Sequence, residues 1–92
     1  MNKPEKKFRA GPVTATIWQN EATRQDGSKA VFYTVSLERS YKNKEGEWAS
    51  SNTFRVNDIP KAVLVLNKAY EYVTLKELGL PHVTEDEEVE EI

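Results

Sequence analysis

The segment VFYTVSLERSYKNKEGEWASSNTFRVNDIPKAVLVLNKAYEYV, residues 31–73, decides the fold. It reads as strand, turn, strand, helix. Alternation puts Val31, Tyr33, Val35 and Leu37 in the row expected to be buried and Phe32, Thr34, Ser36 and Glu38 in the opposite one, the period of a strand. Asn43-Lys44-Glu45-Gly46 makes the turn, with Gly46 where a positive φ is needed. A further strand spans residues 48–56, with Phe54 and Val56 inward and Thr53 and Arg55 outward. The helix opens near Asp58, a capping residue, and Pro60 sits in its first turn, where a missing donor costs nothing. Ile59, Val63, Leu66, Tyr70 and Val73 recur at helical spacing and form the stripe expected to cover the sheet. Leu64, Val65 and Tyr72 fall outside that stripe, and this apolar surplus assigns them to a dimer interface. Thr74-Leu75-Lys76-Glu77 matches a capping box, which predicts a restart or kink before Gly79 and Pro81 stop the helix.

Upstream, Phe8-Arg9-Ala10 reads as a short strand broken at Gly11-Pro12. Val13, Ala15 and Ile17 then alternate with Thr14, Thr16 and Trp18, as in a half-buried strand. Residues 20–29, with Asp26-Gly27-Ser28, read as a long and mobile hairpin loop. The expected organisation is a disordered N-terminus over residues 1–7, one domain over residues 8–80, and an acidic disordered tail over residues 81–92. The fold class is α+β: a curved antiparallel sheet of three to four strands followed by one long C-terminal helix, with the helix mediating a dimer.

Ninety-two residues allow one domain with a modest core, a size at which dimerisation is a common remedy. There is no cysteine, so disulfides and thiolate metal sites are excluded. No apolar run is long enough to span a membrane, and the charged first residues lack the apolar stretch of a signal peptide. The expected location is the cytoplasm, in association with the nucleoid. All 13 Lys and Arg precede residue 77, against nine acids up to residue 83, so this part carries about four positive charges. The other six acids crowd into the final TEDEEVEEI, either a solubilising end or an internal mimic of a polyanion.

The chain offers little to an enzyme. His82 is the only histidine and has no partner ligands for a metal. No phosphate-binding glycine loop or nucleophile motif occurs, and the acidic pairs have no pocket context. No cofactor and no metal are expected. The sheet face away from the helix is different. It carries Trp18, Phe32, Arg55, Lys29 and the hydroxyls of Thr14, Thr16, Thr34 and Ser36, which together suit stacked bases and held phosphates. The same residues also suit a purely structural role, as a cross-strand aromatic pair in ordinary β composition. A second cluster, Arg39, Tyr41, Lys42, Lys44 and Trp48, surrounds the hairpin, where Tyr41 and Trp48 are expected to clamp the turn.

The order of these features resembles the C-terminal domain of the transcriptional coactivator family called positive cofactor four, with its prokaryotic relatives. Phe8-Arg9-Ala10-Gly11 matches a Phe-x-x-Gly opening. Tyr41 followed by Lys44-Glu45-Gly46-Glu47 matches an aromatic strand end before a Glu-Gly-Glu turn. Phe54-Arg55-Val56-Asn57 leads into the helix as in that family, with Pro60 displaced by two positions. The likeness covers about residues 8–73. The chain is also similar to a group of small, mostly uncharacterised prokaryotic proteins that share a Tyr-Lys-x-Lys-x-Gly-Glu-Trp segment. The resemblance implies a four-stranded curved sheet, paired helices in a dimer, and a channel for single-stranded or melted DNA. It places Trp18 and Tyr41 at the stacking positions, with Arg24 and Lys29 as approximate substitutes for lysines of the first hairpin.

The expectation is therefore a homodimer that binds single-stranded DNA with little sequence preference. Bases would stack on Trp18, Phe32 and Tyr41, and Arg9, Lys29, Arg39, Lys42, Lys44 and Arg55 would hold phosphates. The acidic tail would compete for that surface. RNA is the other nucleic-acid ligand, and a protein-interaction adaptor of the same dimer fold is the alternative function.

Overall fold

A computed structural model describes residues 3–79 and 89–92. Five strands form one sheet in the order β4-β3-β2-β1-β5: β1 (Lys3–Ala10), β2 (Val13–Thr23), β3 (Lys29–Lys42), β4 (Trp48–Ser51) and β5 (Val89–Glu91). The first four pair antiparallel; β5 joins the outer edge of β1 in parallel. The sheet is thus mixed and has five strands, where three to four antiparallel ones were expected. β1 begins at Lys3, so residues 3–7 belong to the sheet and are not the expected disordered N-terminus. The expected acidic disordered tail ends in a paired strand, and residues 80–88, with His82, lie outside the described residues.

The hairpins follow from turn chemistry. Gly11 takes φ +60° ahead of Pro12, the sign pattern of a two-residue II′ turn. The next hairpin is tighter than the long loop predicted. β2 and β3 pair regularly out to Thr23 and Lys29. Asp26 Oδ1 accepts from both the backbone N–H and the hydroxyl of Ser28, which also holds the Asp26 carboxyl below its ordinary pKa. In the β3–β4 turn, Asn43 Oδ1 accepts from the N–H groups of Glu45 and Glu47, and Gly46 has φ +78°.

Helix α1 (Ile59–Glu77) runs without interruption through Thr74, so the predicted kink is absent. It crosses β1 and β2 and buries Ala62, Val65 and Ala69 against Phe8, Ala10, Val13, Ala15 and Ile17. The covering stripe differs from the one expected. Ile59, Val63, Leu66 and Tyr70 remain exposed, and only Val73 of the predicted stripe packs on the core. Val65 is 0% exposed, and Tyr72 meets the Phe8 ring edge-on at 6.0 Å, so both belong to the core of the single chain. Only Leu64 of the expected dimer residues stays on the surface. The reason is steric: two alanines let the helix approach a sheet row rich in small residues, and larger side chains would hold it away.

Lys76 fixes the last turn of the helix. Its Nζ donates to Glu5 Oε1 at 2.7 Å and lies 5.7 Å from both the Tyr33 and Tyr72 rings. Burial works against the Lys76 charge. The Glu5 hydrogen bond and the neighbouring Tyr72 and Glu5 charges outweigh it and raise its pKa. Burial likewise raises the Tyr72 phenol.

β4 ends at Ser51, five residues short of the strand predicted over residues 48–56, which leaves Val56 outside the core at 85% exposure. Phe54 does pack inward. Asp58 is buried, but it does not cap the helix with its side chain. Its carboxylate instead accepts from the Arg55 N–H at 3.2 Å and lies 3.9 Å from the Arg39 guanidinium.

Candidate nucleic-acid interface

Strand register assigns each candidate to a face. Residues directly opposite share a face, so Trp18 lies with Thr34, Asn20 with Phe32, Thr14 with Arg9 and Glu38, and Trp48 with Lys42. The helix packs on the other side, with Ala15, Ile17 and Leu37. Four of the nine predicted nucleic-acid residues therefore share the face away from the helix: Arg9, Trp18, Phe32 and Lys42. Lys7 joins them beside Thr16.

This face is only partly open. Thr16 is 2% exposed and Thr14 is also buried, so the expected hydroxyl row reduces to Thr34 and Ser36. Those two hydroxyls set the orientation of neighbours. Ser36 Oγ accepts from the Trp18 indole N–H at 2.9 Å, and Thr34 Oγ1 accepts from the Asn20 amide at 3.1 Å. The Trp18 ring is half-buried and anchored; Phe32 is exposed.

Several candidates lie elsewhere. Arg39 and Tyr41 share the helix side of β3, since they alternate with Lys42. The Arg39 side chain is only 14% exposed, donates from Nε to the Thr53 carbonyl at 2.8 Å, and faces Asp58. It ties β3 to the segment entering the helix and is not available to a phosphate. Tyr41 lies 5.5 Å from that guanidinium. Lys29 is at the far end of the β2–β3 hairpin, 3.9 Å from Glu21. Arg55 sits in the connection past β4 and Lys44 in the hairpin turn, both exposed. The expected Tyr41–Trp48 clamp does not form, because Lys42 pairs with Trp48 and Tyr41 pairs with Ala49, which puts the two rings on opposite faces.

That register gives Trp48 a different place. It is 71% exposed, with Lys42 Nζ 5.6 Å from its ring. With Arg9, Gly11 and Ser40 it lines a hollow of about 310 Å³. Sequence reading treated Trp48 as a hairpin support; the parity of Trp48 against Lys42 was the signal that would have placed it beside the basic residues. Arg9 in this hollow is already engaged. Its guanidinium forms an ion pair with Glu91, and its carbonyl accepts from the Ile92 N–H at 2.7 Å. A carboxylate of β5 thus occupies the cation best placed to meet an anion on this face.

Comparison with family models, curated proteins and solved structures finds no match. Among the described residues no cluster of acids and histidine could hold a metal, and no helix is long and apolar enough to cross a membrane.

Proposed function

We propose that this protein binds single-stranded DNA, with little sequence preference, on the sheet face away from the helix. The observation that carries the reading is the hollow lined by both the exposed Trp48 and Arg9. An aromatic platform beside a cation is the pairing that single strands need, one group for a base and the other for the backbone. Trp18 and Phe32 extend the track along β2 and β3, and Lys42 and Lys7 add charge. From Phe32 to Lys42 the track is roughly 30 Å long at strand spacing. The resemblance to the positive cofactor four family supports the same ligand class, and a nucleoid-associated role in the cytoplasm accords with it.

Glu91 acts as a resident competitor in this reading, since its carboxylate takes the place of a phosphate on Arg9. The exposed flank of Ile59, Val63, Leu66 and Tyr70 is the surface through which the chain forms a homodimer. A second reading, an adaptor that takes acidic peptides along the outer edge of β1, is favoured by one observation: β5 is itself such a peptide, paired there. The test is a fluorescence titration of a labelled thymine oligonucleotide against an acidic peptide at two salt concentrations. Salt-sensitive oligonucleotide binding supports the first reading. Binding of the peptide alone replaces it with the second.

A further inference from the structure

We infer that two copies of this chain join edge to edge through β3, making one continuous sheet with both helices on the same side. The inference rests on the dimeric part of the reading above and goes beyond it by naming the strand that pairs.

β3 is much longer than its outer neighbour. β4 pairs only with residues 39–42 of β3, so residues 29–38 have no strand partner on that side among the described residues. Free edges of soluble sheets are ordinarily guarded by charge, proline or a bulge. Here residues 30–37, AVFYTVSL, contain no charge and no proline, and they pair with β2 without a register shift. Val31, Phe32 and Val35 are all exposed along it. Roughly 25 Å of uncharged β-strand whose outer backbone groups have no strand partner among the described residues is a template for another strand.

Three features point to a second copy as the occupant. An antiparallel pair of identical strands has a two-fold axis, the commonest symmetry of soluble dimers. An axis normal to the sheet sets the Val31, Tyr33, Val35 and Leu37 row of one copy beside the same row of the other, on the helix side. The helix also presents an exposed apolar flank that such a pairing can cover. Tyr72 meets Phe8 of β1 from one flank of the helix, and helical spacing puts the exposed Ile59, Val63, Leu66 and Tyr70 on the opposite flank. The two rows become a floor and the two flanks become walls of a single apolar interior. A notch of about 520 Å³ between Ser36, Leu37, Tyr41 and Ser51 marks where β4 stops and an incoming strand would continue its line. On the reverse side the same pairing brings the Trp18 and Phe32 regions of both copies onto one surface.

The absence of cysteine makes the test direct. Single cysteines are introduced in turn at each of residues 31–37, with Ser28→Cys as a control, and each variant is mildly oxidised. At a two-fold axis one residue faces its own copy with Cα atoms about 4.5–5.5 Å apart, within the span of a disulfide. The expected result is one sharp maximum of cross-linked dimer within residues 31–37 and little at Ser28→Cys. Sedimentation of the unmodified chain should give a dimer, and Val35→Lys, with an unchanged circular dichroism spectrum, should shift it to monomer. A monomeric unmodified chain at about 100 µM, or a dimer that cross-links at none of these positions while Leu66→Cys does, overturns the inference. Oligonucleotide binding on the oxidised dimer separates the two claims: a cross-linked dimer without binding supports edge pairing and removes the nucleic-acid reading. Binding by a chain that never cross-links does the reverse.

Discussion

Replacing Trp48 by alanine separates a binding role from a folding role more cleanly than any other change on this surface. Trp48 is 71% exposed, so under a third of its side chain is covered. About 70 Å² at ~25 cal/mol/Å² limits the lost burial to about 2 kcal/mol, an upper bound because an extended unfolded chain is the reference. A base stacked on the ring is worth about 1–3 kcal/mol, which is roughly a 5- to 150-fold rise in Kd. Trp18→Ala is a poorer probe, because the half-buried Trp18 ring also gives up its hydrogen bond to Ser36. The assay is anisotropy of a labelled thymine oligonucleotide at two salt concentrations, beside thermal unfolding of the same samples. Trp48→Ala should weaken binding by a similar factor at both salts, since no charge is removed. Arg9→Ala should flatten the salt dependence by about 0.7 in the slope of log K on log salt. Wild-type affinity in a folded Trp48→Ala protein would refute the stacking argument.

Deleting residues 89–92 frees Arg9 from Glu91. An exposed pair is worth about 0.2–1 kcal/mol, so oligonucleotide affinity should rise up to about fivefold at low salt, and the salt slope should steepen. Val65→Ala removes two methyl groups from a fully buried site and should cost about 2 kcal/mol, or roughly 8–15 °C in Tm at equal protein concentration. Leu64→Ala, on the surface, should cost less than about 1 kcal/mol in the same melts. Lys76 has a folded pKa above its ordinary 10.5, so its stabilisation is complete below that value and fades as pH rises through the folded pKa. Lys76→Met should therefore lose about 1 kcal/mol at neutral pH and show a smaller decline in stability above pH 10.5, read by urea unfolding at each pH.

The sequence carries the architecture legibly where periodicity is strong and turn chemistry is explicit. The strand over Val31 to Leu37, the Gly46 turn and the helix opening at Ile59-Pro60 stand where the pattern puts them. Of the row expected to be buried, only Tyr33 and Leu37 pack on the core; Val31 and Val35 stay exposed, because the helix lies over β1 and β2. The helix face was not legible, because a reading weighted to large apolar residues passes over Ala62 and Ala69, whose value is their small size. β5 was not legible because three residues rich in Glu have no strand signature, and their pairing depends on an edge far away in sequence. Of the candidate site, Arg9, Trp18, Phe32 and Lys42 fall on one face by simple parity. Arg39 was misassigned because charge alone does not reveal a buried partner such as Asp58. Extending the last strand through Arg55 failed because β4 ends early, at Ser51.

The pairing of β5 also has a time scale. β5 is three residues at the outer edge of the sheet and can make only a few hydrogen bonds there. So short an edge strand is expected to open without unfolding the rest. Amide exchange at Val89 and Glu90 should therefore outpace exchange in β2 by orders of magnitude. Arg9 would then alternate between closed and open forms many times within the lifetime of the native state, and the observed association rate of any anion on this face would scale with the open fraction.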